Sequence, residues 1–381
     1  MKPMARARSL IWLLLLGACP NLLAQAQVVT PVTTSDELAR ALRDAKAGSI
    51  ITLSPGIYRG GISAQGLKGT DAKPIVVRSA DSDKPATIQG GASGIHLAEV
   101  AYLVLENLVF ENATANGLNI DDGGVNGASH HVTLRNLQIR NVGSNGNHDG
   151  IKLSGLDDFR VTACEVERWG TGGSGIDMVG CHRGLIESSS FRHWGDELAA
   201  NGVQTKGGSS QIEVRGCRFE HAGSRAINLG GSTDEAYFRP IDAKSEASDI
   251  TVTGCTIIGS MAAVAFVGVD GAVVRGNTIY RPKRWVMRIL QENQSPRFTL
   301  SARGRFVENV IVFRSDELAT AVNIGPHTDA KTFMFEGNQW FCTDRPDRSR
   351  LNLPVEETRG RYGEDPKFQD PENGNFRRGG A

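Results

Sequence analysis

One phrase, apolar-x-apolar-x-x followed by Asn or a small residue, returns nine times along the chain with some slippage in its length. Its marker falls at Asn107, Asn136, Cys164, Ser189, Cys217, Cys255, Asn277, Asn309 and Asn338, at intervals of 29, 28, 25, 28, 38, 22, 32 and 29 residues. A period in this range, carried by strand-like alternation without helical spacing, predicts a parallel β-solenoid. Each coil buries its apolar face only against its neighbours, so nine markers imply roughly nine stacked coils. The markers read as a structural ladder. Asn stacked at a bend satisfies backbone groups that the turn leaves unpaired, and small Cys and Ser fit the same slot.

A second phrase is written four times, as Gly150-Ile151-Lys152-Leu153, Gly175-Ile176-Asp177-Met178, Gly202-Val203-Gln204-Thr205 and Ala226-Ile227-Asn228-Leu229. Alternation with period two buries the second and fourth residues and turns the third outward. Stacking then places Lys152, Asp177, Gln204 and Asn228 in one column, with Lys206 in the parallel one. His148, Asp149 and Arg225 fall on the same coils and Asp121 one coil earlier, while the next outward position, Ala265, is apolar. The flanking glycines are expected to leave the backbone open to a ligand. A bounded polar stripe of this kind suits an extended sugar polymer.

The rest of the chain frames the stripe. Lys2, Arg6 and Arg8 ahead of the apolar run Leu10 to Leu16, with Ala24-Gln25-Ala26 as a cleavage site, predict a signal peptide over 1–26 and a periplasmic or extracellular protein. Leu16-Gly17-Ala18-Cys19 allows lipid anchoring at Cys19 instead. Residues 27–100 are expected to form an N-terminal cap and first coils, 101–344 the main solenoid, and 345–381 a tail over the last coil that frays at its end. Thr34-Ser35-Asp36-Glu37 followed by Leu38, Ala41 and Leu42 predicts a short capped helix that covers the first open edge. Without the three leader cations the balance is 39 basic to 42 acidic residues, which argues against a nucleic-acid partner. No apolar run is long enough for a membrane span, and a monomer is expected. Cys usage without a CxxC pair fits neither a disulfide framework nor a zinc site, although Cys217 and Cys255 occupy successive markers.

Several stripe residues carry chemistry. Lys206, with Arg225 close by, is the candidate general base, because a neighbouring cation disfavours its charged form. Gly230 to Ser248 is a long excursion rooted beside the stripe and containing Tyr237 and Arg239, and it is expected to wall the cleft. Lys152, Asp177, Gln204, Asn228 and Arg239 are the candidate substrate contacts. Asp149 and Asp177, with Asp121, are candidate ligands for Ca2+. Arg225, His148 and Tyr237 are candidate proton donors.

The opening of the chain resembles the alginate lyase and chondroitinase B group of polysaccharide lyases. The matching parts include Ser35-Asp36-Glu37-Leu38, Ile51-Thr52-Leu53, Gly56-Ile57-Tyr58, Lys73-Pro74-Ile75 and Tyr102-Leu103-Val104-Leu105-Glu106-Asn107. The resemblance implies an all-β, single-stranded right-handed parallel β-helix with a short N-terminal capping helix. It also implies that Lys206, in Val203-Gln204-Thr205-Lys206-Gly207-Gly208, is the general base, with an arginine on the next coil as acid. Arg225 is displaced toward the start of its strand relative to that pattern, and the group's glutamate-rich calcium motif is not recognisable.

These features point to β-elimination on an acidic, uronate-containing polysaccharide. An inverting glycoside hydrolase using Asp149 and Asp177 is the second enzyme class. A C5-epimerase would use the same proton abstraction. A surface solenoid that only binds glycan is the non-enzymatic alternative.

Overall fold

The computed structural model describes residues 28–124, 127, 129–193, 200–318 and 320–379. The leader and Cys19 lie outside these residues. The chain winds repeatedly through three parallel sheets in the same order, and among the described residues these hold 14, 12 and 10 strands. Apolar residues pointing inward from all three form one continuous core.

A helix, α1 (Ser35–Asp44), sits on the first coil. Its N-terminus is closed reciprocally: Glu37 N–H donates to Thr34 Oγ1 at 3.2 Å, and Thr34 N–H donates to Glu37 Oε2 at 3.2 Å. Leu38 and Leu42 bury the opposite face on the strands below. The amphipathic helix thereby covers the end of the core that would otherwise stand open to water.

The ladder forms, with one correction. Strand register lines up Cys164, Ser189, Cys217, Cys255, Asn277, Asn309 and Asn338, all buried. Each Asn side chain serves the coil before it. Cys255 N–H donates to Asn277 Oδ1 at 2.8 Å, Asn277 N–H to Asn309 Oδ1 at 3.0 Å, and Asn309 N–H to Asn338 Oδ1 at 2.9 Å. Glu357 ends the series by accepting from Asn338 N–H at 3.0 Å. Asn107 and Asn136 do not belong to this line. They stand one residue earlier, in a column with Ala163, Ser188, Gly216, Gly254, Gly276, Glu308 and Gly337 whose φ lies between 50° and 66°. That column turns the chain from one sheet to the next in a left-handed conformation, which Asn and Gly tolerate best. The two columns are adjacent and both favour Asn, which is why the sequence merges them.

The five described cysteines are all free and buried. The described C-terminal residues, up to Gly379, pack back on the solenoid. Gly374 O accepts from Arg218 Nη1 at 3.3 Å, Glu372 Oε1 from Tyr280 Oη at 2.6 Å, and Phe376 packs on Tyr280 with ring centroids 5.2 Å apart. The segment runs back over coils made much earlier in the chain. Among the described residues no helix is long and apolar enough to cross a membrane.

Candidate functional site

The ten-stranded sheet carries the polar stripe. Its strands Ile151–Ser154, Ser174–Val179, Asn201–Lys206 and Arg225–Gly230 pair in parallel. Register places Lys152, Asp177, Gln204 and Asn228 in one column, preceded by Asn119 and followed by Ala265 and Arg288. Lys206 stands two positions along, on the rung of Gln204 and beside Val179.

The flanking glycines have a different purpose from the one expected. A Cβ on Gly175 would meet the Phe191 ring at 3.0 Å, one on Gly202 the Phe219 ring at 3.0 Å, and one on Gly150 Val166 at 2.4 Å. These glycines face the core, where aromatic and branched side chains leave no room for a Cβ. The apolar residue after each also faces inward, so the alternation is broken there. The break turns the residue before the glycine outward, and Asp149, Ser174, Asn201 and Arg225 join the stripe.

Two buried carboxylates and two ammonium groups form its centre. Lys152 Nζ contacts Asp177 Oδ2 directly and lies 3.7 Å from Asp149 Oδ2, while Lys206 Nζ lies 3.3 Å from Asp177 Oδ2. The lysine side chains are 21% and 16% exposed, against 2% and 1% for the two aspartates. Burial first, and then the neighbouring Asp177 charge, push the Asp149 carboxyl up to about 7 against the pull of Lys152. Burial opposes the charge on Lys152, but Asp177 and Asp149 outweigh it and raise the ammonium above the ordinary lysine value. Asp149 Oδ1 also accepts from Ser174 N–H at 2.7 Å.

Gln204 is held at both ends of its amide: its Oε1 accepts from Asn201 Nδ2 at 3.1 Å and its Nε2 donates to Gly230 O at 3.3 Å. Asn228 Oδ1 accepts from Arg225 Nη1 at 3.4 Å, while its buried Nδ2 has no partner among the described residues. Arg225 also reaches Glu292 Oε1 at 2.5 Å. The charged neighbour of Lys206 is therefore Asp177, and Arg225 is turned away to Asn228 and Glu292.

Other candidates lie apart from this centre. His148 packs its ring on the turn at Gly143 and Gly146 with Nδ1 buried, so it shapes the corner before Asp149. Tyr237 is 66% exposed on a short 3-10 turn. Arg239 crosses to Asp122 at 2.8 Å, over the turns that follow the strands rather than on the stripe. Asp121 turns to His96 Nε2 at 2.6 Å. The three aspartates do not fit a calcium ion, because the Lys152 ammonium fills the position between Asp149 and Asp177 and Asp121 is committed elsewhere.

The excursion Gly230 to Ser248 lies against the strand exits, pinned at Glu246 and Phe238 while its tip is exposed. Glu246, buried in it, accepts from Gly207 N–H at 2.9 Å and from Thr233 N–H and Oγ1, each at 2.8 Å. Gly207 directly follows Lys206, so this carboxylate holds the lysine's exit turn. Phe238 is buried against Phe298, with ring centroids 4.9 Å apart. Glu246, Asn201, Ser174 and Glu292 escaped sequence reasoning; the first and last sit in loops without periodicity, and the other two lie behind the break in alternation.

The family model for the right handed beta helix region matches residues 84–240. No curated protein matches the chain. Among solved structures, an alginate lyase from Paenibacillus sp. str. FPU-7 is 19% identical with a TM-score of 0.53, covering 80% of this chain and 100% of its own. The A-module of a mannuronan C-5 epimerase from Azotobacter vinelandii is 14% identical with a TM-score of 0.53, covering 85% and 92%. A lacto-N-biosidase from Eubacterium ramulus is 13% identical with a TM-score of 0.56, covering 88% and 68%. Three different activities share this architecture, and the likeness at these identities is one of fold: the chain is a right-handed parallel β-helix.

Proposed function

We propose that this protein is an exported enzyme that cleaves a uronate-containing polysaccharide by β-elimination, with Lys206 as the base. The observation that carries the proposal is the convergence of two ammonium groups on one buried carboxylate. Lys152 is the closer of the two and also bridges to Asp149, so Lys206 can give up a proton without leaving Asp177 unpaired. When Asp149 is protonated and both lysines are charged the four groups carry one surplus positive charge, which suits the approach of an anionic sugar, and that surplus is the proton Lys206 releases before it acts as base.

The remaining parts follow from position. The Arg225 guanidinium, 17% exposed and backed by the buried Asn228, receives the sugar carboxylate, which acidifies the adjacent C5 proton. Lys206, one rung back and two positions along the strand from Asn228, on the order of 8 Å between backbones, takes that proton. The C5–H electrons form the C4–C5 double bond, the C4–O4 bond breaks, and the leaving oxygen takes the proton back from the Lys206 ammonium. Arg225 is held by Asn228 and Glu292, so its part is electrostatic rather than proton donation. The two-carboxylate hydrolase gains less from this arrangement. One ammonium touches both carboxylates, which brings their Oδ2 atoms inside the roughly 6.5–9.5 Å that an inverting pair leaves for water.

The test is incubation with a panel of uronate polymers, following ultraviolet absorbance of the unsaturated product together with reducing ends. Absorbance with new ends supports elimination. Ends alone indicate hydrolysis, and neither signal indicates epimerisation or binding; both outcomes overturn the proposal.

A further inference from the structure

The stripe is open at one end and barred at the other. Toward the N-terminal coils its outward residues are accessible, with the Lys152 side chain 21% and the His96 side chain 40% exposed. Beyond Asn228 the same column reads Ala265, and the parallel column Val267 and Leu290, which are 0%, 0% and 9% exposed although they point away from the core. The cover is identifiable. Arg225 extends over Asn228, and its other nitrogen meets Glu292, which follows the strand Trp285–Leu290 two coils further on. The ion pair thus spans the Ala265 rung from one coil to the other. Asn293 fastens the Glu292 segment from behind, donating to Thr233 O at 3.1 Å. Arg288, next in the column, is committed to Asn323 Oδ1 at 2.9 Å.

We infer that the Arg225–Glu292 bar closes the groove one rung past the reacting position, so that the enzyme works from a chain end and releases one sugar per cleavage. The inference rests on the elimination proposed above. A polymer entering along the coil axis reaches Lys206 from the Lys152 side. Between Gln204 and the bar only the width of the Asn228 rung remains, about 4.8 Å, and with Asn228 1% exposed beneath Arg225 it holds no more than one sugar ring. An internal segment of a long chain has no path through the bar. Arg225 then has two duties: it receives the carboxylate of the terminal sugar, and with Glu292 it stops the chain.

The experiment is a time course on alginate, polygalacturonate and chondroitin with absorbance, viscosity and product size read together. An unsaturated monosaccharide as the first and dominant product, with viscosity nearly constant, supports the inference. An early fall in viscosity with a spread of oligosaccharides overturns it while leaving the elimination intact. Glu292→Ala removes half the bar while leaving Lys206, Lys152 and Asp177 in place, and its products should lengthen. Unchanged product length in that variant overturns the assignment of the stop to this pair.

If no polymer is cleaved, elimination fails, and binding decides the geometry. Hexasaccharides of the same three polymers, with one or the other end blocked by a bulky label, are titrated against the Lys206→Ala protein. Loss of binding with one blocked end supports a closed groove. Equal binding of both blocked forms, or no binding of any, overturns it.

Discussion

Replacing Asp149 by Asn tests the electrostatics of the site without removing a side chain. Asn keeps an acceptor for Ser174 N–H and cannot titrate. In the folded protein the Asp149 carboxyl is raised from 3.8 to about 7 by burial and by Asp177. The folded state therefore holds its proton more tightly than the unfolded chain does. The stabilisation from that proton is complete below about pH 4 and is lost as pH rises to about 7, after which the curve is flat. Each tenfold difference in proton affinity is worth about 1.4 kcal/mol, so the loss across this window is about 4 kcal/mol. Urea unfolding of both proteins at half-unit steps from pH 4.5 to 8 isolates the contribution, because groups common to both cancel in the difference. Wild type should lose stability relative to Asp149→Asn up to about pH 7 and then hold a constant offset. A difference that stays flat across the whole range would show that Asp149 is ionised throughout and that Lys152 alone settles its charge, which would refute the surplus cation assigned to the groove.

Three further outcomes are expected. Lys206→Ala should lower turnover about a hundredfold or more with little change in thermal midpoint, and Lys206→Arg should not rescue it, since guanidinium does not give up its proton; steady-state absorbance assays with calorimetry check both. Asn309→Ala should cost on the order of 2–4 kcal/mol in urea, because Asn277 N–H and Val274 O lose their partner in a buried column, and Asn309→Cys should cost less, since Cys fills the same slot in other coils. Glu246→Ala should lower the unfolding free energy and the turnover together, because the carboxylate holds both the root of the long loop and the turn after Lys206; a loss of turnover alone would mean that the loop is a wall and not a brace.

The solenoid is legible because its physics repeats. A period in the twenties and thirties, alternation and an Asn-rich bend each report the same stacking geometry on coil after coil. The column Lys152, Asp177, Gln204 and Asn228 follows from alternation alone, and so does the outward position of Lys206. What alternation cannot give is the break at Gly150, Gly175 and Gly202. There two successive residues face inward because core side chains leave no space for a Cβ, and the phase of every earlier residue shifts by one. Ser174 and Asn201 are hidden by that shift, and alternation credits the glycines to a ligand when they face the core. The partner of Lys206 is out of reach for another reason. Which of Arg225 and Asp177 lies against it is set by side-chain direction and by Glu292, which returns from a loop 67 residues after Arg225.

The C-terminal segment adds an order in time. Coils of this kind can settle one upon the next as the chain emerges, since each needs only its predecessor. The contact from Arg218 to Gly374 joins residues 156 positions apart, and those from Tyr280 and Arg281 to Glu372 close behind it. That clasp cannot fasten until the coils beneath it exist, so the middle of the β-helix passes through a stage in which Tyr280 and Arg218 lie uncovered. A chain caught at that stage has all of its rungs and none of its buckle, and its second sheet is open to proteases and to other unfinished chains.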